Sequence, residues 1–219
     1  MKDDKTNTTK DANTLFESFQ RVLYSFGMEG ITHPLFYNSK IGLRFNIGDN
    51  GNDTFTDAYT AACFDRAMMI YNLLKTKPDL LVIDGYLCEN EASDNFIVDV
   101  TSATGLPAPH EIVTEPVYEG DNVFVHIFLC WKTTDFAEHF TPDDIIKEII
   151  ASDSDTGNQF LSSAVYFVCT KDNVLFHLYD DRGADLLSEK KESIRHIYKE
   201  LNHLVLDYDR EKIDAIFKA

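Results

Sequence analysis

Alternating apolar residues in the C-terminal half of the chain predict a β-hairpin. The segment from Val165 to Leu187 has the sequence VYFVCTKDNVLFHLYDDRGADLL. Within it, Asp172 and Asn173 tolerate the left-handed conformation of a two-residue turn. This turn predicts a register with three pairs: Lys171 with Val174, Cys169 with Phe176, and Phe167 with Leu178. Both faces of the hairpin are largely apolar, so it is expected inside a sheet that is covered on at least one side.

Apolar residues at helical spacing predict five helices along the chain. The predicted helices cover residues 15–26, 54–75, 142–152 and 189–204, and a closing helix that Asp207 or Asp209 caps. Thr14 or its neighbour Asn13 is expected to cap the first helix, and Gly27 is expected to end it.

Shorter apolar runs predict strands between these helices. The predicted strands cover residues 41–47, 80–87 and 122–133 and both arms of the hairpin, with a short edge strand at Phe96–Val100. Residues 101–121 are rich in Gly and Pro and are predicted as the longest irregular stretch. The order of elements predicts an α+β fold, with a mainly antiparallel sheet of about five strands packed against helices. Residues 1–12 are expected to form a disordered polar tail, and residues 13–219 a single domain.

The charge of the chain restricts its partners. A formal net charge of −17 comes from 20 basic and 37 acidic side chains. This balance argues against sequence-independent binding to nucleic acid or to an anionic membrane, since both depend on cationic surface. It permits binding to a basic protein, although solubility alone is the simpler explanation of such a charge.

The cysteines and the N-terminus predict a cytoplasmic protein. The four cysteines form no Cys-x-x-Cys pair and lie in largely apolar segments, so they are expected to be buried free thiols. No secretory signal is visible at the N-terminus, and no apolar run approaches the roughly 20 residues of a membrane span. The cysteine spacing predicts neither a disulfide nor a zinc site, and no cofactor is expected.

The hairpin runs into an acidic turn with the sequence Asp180-Asp181-Arg182-Gly183-Ala184-Asp185. Its carboxylates are of the type that holds a divalent metal or a basic partner, although Arg182 competes with any cation. The structural alternative is a strand-to-helix turn. In that alternative Gly183 takes the left-handed conformation, one aspartate accepts backbone N–H bonds, and Arg182 pairs with a carboxylate.

An arginine and two histidines lie in apolar segments, where a polar side chain needs a partner. Arg66 lies at the centre of the apolar arc of the second helix, so it is expected to be buried and paired with a carboxylate, with Asp84 as the first candidate. His126 and Cys130 share one face of a strand, but about 13 Å separates such positions, which is too far for a nucleophilic pair. His177 lies on the hairpin and is interpreted as a satisfied or partly exposed core histidine.

Several motifs resemble those of a known family. HLYDDRGADLL, LDYDREKIDAIF, LRFNIG and Ala-x-x-x-Arg-Ala are similar to patterns in a bacterial family of uncharacterised single-domain proteins. That family carries a Tyr-Asp-Asp-Arg-Gly-x-Asp motif and a Tyr-Asp-Arg closing helix, and the resemblance covers about residues 14–219. It implies a single domain and an important acidic turn. The family has no assigned activity, so the resemblance implies no catalytic residue.

The favoured hypothesis is a non-enzymatic module that binds a basic protein through its acidic surface. One concrete form is an antitoxin or immunity protein that neutralises a cationic nuclease, because charge complementarity raises association rate and specificity. One alternative is a small metal-dependent hydrolase or nuclease that uses Asp180, Asp181 and Asp185. A second alternative is a ligand-binding domain with its pocket under residues 101–121. The candidate cluster, functional or structural, consists of six residues: Asp180, Asp181, Arg182, Asp185, His177 and Arg66.

Overall fold

A seven-stranded antiparallel sheet organises the chain. The computed structural model describes residues 14–48, 56–88, 93–120, 122–136 and 141–218. The strands are β1 (Gly42–Asn46), β2 (Leu80–Cys88), β3 (Glu111–Glu119), β4 (Asn122–Lys132), β5 (Val165–Cys169), β6 (Val174–Leu178) and β7 (Gly183–Ser188). Their order in the sheet is β1-β7-β6-β5-β2-β4-β3, and every pairing is antiparallel. The predicted α+β class is confirmed, with two strands more than the five expected.

Helices cover both faces of the sheet. They are α1 (Leu15–Phe26), α2 (Leu35–Asn38), α3 (Asp57–Asn72), α4 (Ser93–Thr104), α5 (Pro142–Ala151), α6 (Lys191–Glu200) and α7 (Arg210–Phe217). Thr14 caps α1 in a capping box with Glu17, and Gly27 ends the helix with a φ of 90°. The predicted first helix is therefore confirmed at both ends.

The apolar residues form one core on each side of the sheet. On one face, α1 packs Phe19 against Tyr166 of β5, together with Val82 and Leu175. On the other face, residues of α3 to α7 pack against Phe167 of β5 and the residues that share its side of the sheet. The alternation of side chains along each strand separates the two cores.

The hairpin has two largely apolar faces, as predicted, but a different register. The observed pairs are Cys169 with Val174, Phe167 with Phe176, and Val165 with Leu178. The predicted register is wrong by two residues, because the connection holds four residues, 170–173, rather than two. Thr170 leaves the strand since its N–H and hydroxyl both bind the Asp79 carboxylate. A shift by two residues keeps every side chain on its predicted face.

The predictions for residues 96–104 and 111–119 are wrong, whereas residues 105–110 are irregular as predicted. Phe96–Val100 lies within α4 rather than in an edge strand. Residues 111–119 form β3, which pairs with β4 along its whole length. Thr101 and Thr104 mask the helix in the sequence, although their hydroxyls donate to the carbonyls of Ile97 and Val100 in the helix. Pro116 masks the strand, but an edge strand tolerates proline because one side of it forms no ladder.

The remaining predictions concern the cysteines, a membrane span, the N-terminal tail and the turn at residues 48–53. None of the four cysteines forms a disulfide, and all except the exposed Cys88 are buried. No helix of the described residues is long and apolar enough to cross a membrane. The predicted tail, residues 1–12, and most of the predicted turn at residues 48–53 lie outside the described residues.

Candidate functional site

The acidic turn connects two strands rather than a strand and a helix. Asp180 and Asp181 follow β6, and β7 begins at Gly183. Asp180 accepts hydrogen bonds from the backbone N–H of Arg182 at 2.7 Å and from its Nε at 2.8 Å, and it also pairs with Arg182 Nη2. Arg182 is itself 72% exposed at its side chain, and its Nη2 lies 3.2 Å from Asp153 Oδ2. These contacts with Asp180 raise the pKa of Arg182, so the guanidinium stays charged.

Asp181 is held by a tyrosine from a helix. The Tyr59 hydroxyl on α3 donates to Asp181 Oδ2 at 2.5 Å, and both residues are buried. Burial, followed by this hydrogen bond, raises the pKa of Tyr59, so the phenol remains a donor. Carboxylate oxygens of Asp153, Asp180 and Asp181 lie within 4.8 Å of one another. Asp185 is not part of this group, so the three carboxylates singled out in the sequence do not meet at one point.

Gly183 has a role other than the predicted one. It does not have the positive φ that a left-handed turn residue would show. A Cβ at this position would instead lie 2.8 Å from the carbonyl oxygen of Phe45 and 2.8 Å from Tyr179 Cε2. Glycine is therefore required here by the close approach of β1 and the Tyr179 ring, not by backbone conformation.

Asp185 belongs to a row of polar residues that crosses the sheet. Arg44, Asp185, His177 and Tyr166 are directly opposite one another on β1, β7, β6 and β5. Asp185 Oδ1 accepts from Arg44 Nε and from the Tyr179 hydroxyl, each at 3.0 Å. Burial raises the pKa of Asp185, and Arg44 opposes that rise. The aspartate is fully buried, so its charge depends on these partners.

Asp185 has a further donor in the backbone of α2. The N–H of Phe36 lies 3.0 Å from Asp185 Oδ2. Both carboxylate oxygens are therefore bound inside the protein. Asp185 fixes the position of α2 against the sheet.

His177 is buried and uncharged. Its Nε2 donates to the carbonyl oxygen of Ser163 at 3.1 Å, and its ring stacks on Tyr166 with the centroids 4.9 Å apart. Burial is the first cause that lowers the pKa of His177 to about 3. Its Nδ1 has no hydrogen-bond partner among the described residues. His177 is thus a core histidine satisfied on one nitrogen.

Arg66 and Asp84 do not meet. Arg66 is half-buried, and its Nη1 donates to the carbonyl oxygens of Ile47 and Gly48 at 2.8 Å each. Asp84 Oδ2 instead lies 2.7 Å from Nε2 of His126 on β4. The predicted pair is wrong because Asp84 shares the α1 face of the sheet with Val82, whereas α3 packs on the opposite face.

A charge asymmetry marks the other end of the sheet. No Lys or Arg occurs between Lys77 and Lys132. The same stretch contains ten acidic residues: Asp79, Asp84, Glu89, Glu91, Asp94, Asp99, Glu111, Glu115, Glu119 and Asp121. With His neutral, these residues account for −10 of the net −17. Residues 78–131 contain β2, α4, β3 and β4, and we refer to them as the acidic end.

The acids of the acidic end lack strong cationic partners. Within the described residues, none of them forms an ion pair with Lys or Arg. Asp79 accepts from Thr170, and Glu111 from the N–H groups of Leu15 and Phe16 at the start of α1. Asp84 lies beside His126. The sequence indicates this region through a long stretch without basic residues, not through a motif.

A cavity of about 760 Å³ opens where β2 extends beyond β5. Asp84 and Tyr86 of β2, Phe96 and Asp99 of α4, Phe160 and His33 line it among others. None of the described residues between 101 and 120 is among those that line this cavity. This volume falls in the range of roughly 300–1,000 Å³ that is common for ligand sites.

The chain belongs to the family DUF3885, a domain of unknown function, whose family model matches residues 24–209. The expected membership in an uncharacterised family is thus confirmed. The matched range includes the acidic turn, the polar row and the acidic end. No curated protein and no solved structure matches the chain.

Proposed function

We propose that the chain is a non-enzymatic module that binds a basic protein through the acidic end of its sheet. The observation that supports this most is the stretch from Lys77 to Lys132, which has ten acidic residues and no Lys or Arg. In the sheet, β2, β4 and β3 are consecutive, so this sequence asymmetry becomes a spatial one.

An acidic surface of this kind acts mainly on association. Charges that internal cations do not neutralise produce a field that attracts a basic partner and orients it before contact. Asp94, Asp99 and Glu115 are exposed, and within the described part of the chain no cation pairs with them. They are therefore the acids we expect to contribute most to the approach of a partner.

The concrete form that we favour is an inhibitor of a basic enzyme, of the immunity or antitoxin type. Such an inhibitor needs fast and selective association, which charge complementarity supplies. The four free cysteines fit a reducing compartment, so we propose that the partner is met in the cytoplasm.

The alternative of a metal-dependent hydrolase has less support. It requires Asp180, Asp181 and Asp185 to act together, but Asp185 binds Arg44 of β1 and lies apart from the other two. Asp180 and Asp181 can group with Asp153, yet Arg182 and Tyr59 already bind them. Carboxylates that are bound in this way by residues of the same chain typically stabilise the fold.

Two triple variants with the same net charge test the proposal. The first replaces three acids of the acidic end: Asp94→Asn, Asp99→Asn and Glu115→Gln. The control replaces three exposed acids of α6 and α7: Glu192→Gln, Glu200→Gln and Glu211→Gln. Each is titrated by fluorescence anisotropy with a labelled oligo-arginine peptide and with a basic protein that has been captured on the wild type, identified and purified.

The acidic-end variant should lose about tenfold in affinity at low salt, mostly through a slower association, and the control should stay within about twofold. High salt should reduce the difference, because it screens exposed charges. Equal losses in both variants would show that only net charge matters. A wild type that binds neither the peptide nor any purified basic protein would also contradict the proposal.

A further inference from the structure

The cavity at the end of β2 combines negative charge with aromatic rings. Asp84 lies at its inner side and is buried, whereas Asp99 of α4 is exposed. Among the described residues, neither Lys nor Arg lines the cavity. A site with this composition favours a cation that also stacks on rings.

Asp84 is held in place and retains capacity for hydrogen bonds. His126 Nε2 lies 2.7 Å from one of its oxygens, and the Tyr166 hydroxyl donates to the other at 3.4 Å. Burial raises the pKa of Tyr166 well above its usual value, so its hydroxyl remains a donor. Two carboxylate oxygens offer about four acceptor positions, so Asp84 can accept further donors from the cavity side.

Asp99 is the second acid of the cavity, and no cation of the described residues pairs with it. Among the described residues it has neither a salt bridge nor a hydrogen bond at its side chain. A guanidinium can bind such a carboxylate with two parallel N–H···O bonds, which an ammonium cannot do.

Aromatic rings supply the walls. Tyr86 is 61% exposed and stacks on His126 with ring centroids 4.2 Å apart. Phe96 and Phe160 meet edge to face with centroids 6.0 Å apart. The Phe96 ring packs over Gly85, where a Cβ would lie 2.5 Å from it, and this contact fixes the ring at the cavity. A planar guanidinium stacks on such rings better than a compact ammonium does.

His33 does not add a positive charge to the cavity at neutral pH. Its Nε2 lies 3.1 Å from the Tyr166 hydroxyl. Burial is the first cause that lowers its pKa, and the nearby Asp84 opposes this. The neutral ring leaves the two carboxylates as the charged groups that line the described cavity.

We infer that this cavity receives the guanidinium group of an arginine side chain from the basic partner, with Asp99 as its exposed carboxylate and the rings as its walls. The inference rests on the proposed function, since it names the residue that the partner would insert. The cavity exceeds the volume of one side chain, so the backbone next to the arginine would enter with it.

The test uses a capped Gly-Gly-Arg-Gly-Gly peptide and its citrulline analogue, which is nearly the same shape without the charge. Both are titrated into the full chain and followed by two-dimensional amide NMR. The arginine peptide should bind about tenfold more tightly than the citrulline peptide, because a charge-assisted hydrogen bond is lost in the latter. The shifted signals should include those of Phe96, Asp99 and Phe160.

Two variants of α4 make the test specific. Asp99→Asn should weaken binding of the arginine peptide about tenfold, whereas Asp94→Asn, an exposed aspartate of the same helix that does not line the cavity, should change it less than about twofold. Equal effects of the two variants, or equal binding of the two peptides, would overturn the inference.

Two further outcomes separate this inference from the proposed function. The first is that the acidic-end triple variant loses affinity for the partner while the wild type binds the arginine and citrulline peptides equally. That result would support docking through the acidic end and overturn the arginine site. Agmatine, a free guanidinium compound, should bind more weakly than the peptide because it fills less of the cavity. Tighter binding of agmatine would assign the cavity to a free small cation and overturn the assignment to a partner side chain.

Discussion

The two ends of the sheet use carboxylates in opposite ways. At the end formed by β1, β7 and β6, Asp180, Asp181 and Asp185 are all buried, and each has a defined internal donor. At the acidic end, Asp94, Asp99 and Glu115 are exposed, and no described cation pairs with them. The conspicuous acidic motif therefore supports the fold, whereas the scattered acids leave their charge at the surface.

This difference shows that the density of acids in a sequence is a poor guide to their role. Three aspartates within six residues attract attention, but Asp180 binds Arg182 of the turn itself. The partners of Asp181 and Asp185 include residues of three other elements: β1, α2 and α3. The acids of residues 78–131 lie on β2, α4 and β3 and in the segments beside them, and they form no motif. The two groups differ in whether hydrogen-bond donors of the chain surround each carboxylate.

The largest expected effect concerns the buried pair of Arg44 and Asp185. Arg44→Met should lower the free energy of unfolding by about 3–5 kcal/mol at neutral pH, because it leaves a buried carboxylate without its cation. Urea unfolding followed by circular dichroism measures this. Arg21→Met, at an exposed arginine of α1, is the control and should be nearly neutral.

The pH dependence of that loss follows from the sign of the pKa shift. Burial raises the pKa of Asp185, and removal of Arg44 allows a further rise. In the variant the folded state then binds more protons than the unfolded chain, so the loss should shrink as the pH falls from neutral to about 4. A loss below about 1 kcal/mol, or one that grows at acidic pH, would show that Asp185 does not depend on Arg44.

A smaller effect is expected at Gly183. Gly183→Ala should cost about 1–3 kcal/mol, because the new Cβ would lie 2.8 Å from the backbone oxygen of Phe45, which cannot move without disturbing β1. Gly30→Ala is the control, since a Cβ there would meet nothing within 4 Å. Thermal melts of both variants measure the difference. If the two melt alike, the close approach at Gly183 does not constrain the turn.

Periodicity predicts elements better than it predicts contacts. The pattern places α1 and β4 to within a residue or so, since their apolar spacing is regular over many positions. It fails for α4 and β3, where Thr101, Thr104 and Pro116 obscure the pattern. Local composition there favours turns, and tertiary packing overrides it.

Contacts across the sheet depend on register, which the sequence alone does not provide. Arg44 faces Asp185 because β1 pairs with β7, and β7 was expected to be part of a turn that leads into a helix. Asp84 faces His126, rather than Arg66, because of the side of the sheet on which it lies. The cavity lies where β2 extends beyond β5, and this position depends on the register of β2 against β5, which the sequence alone does not indicate.

The acidic end should respond to mutation in the opposite direction from the acidic turn. Asp99→Asn combined with Glu115→Gln should raise the free energy of unfolding slightly, by at most about 0.5 kcal/mol at low salt, because it relieves repulsion among exposed acids. High salt should remove the gain by screening. Urea unfolding at both salt concentrations measures it. A clear loss of stability would mean that these acids hold the fold together, as those of the turn do.

The smallest effect is expected from divalent cations on the wild-type chain. Asp153, Asp180 and Asp181 are close enough to share an ion, but the Arg182 guanidinium binds both Asp153 and Asp180. A metal would have to displace it, so Mg²⁺, Mn²⁺ and Ca²⁺ should leave the melting temperature of the wild type unchanged. In Arg182→Ala the same carboxylates lose their internal cation, and the melting temperature should rise with metal concentration, as expected for a ligand that binds the folded state. Thermal melts of both proteins, with and without each metal, measure the contrast. Stabilisation of the wild type by a metal would show that Arg182 does not occupy the place of the cation. It would then support the alternative of a metal-dependent hydrolase.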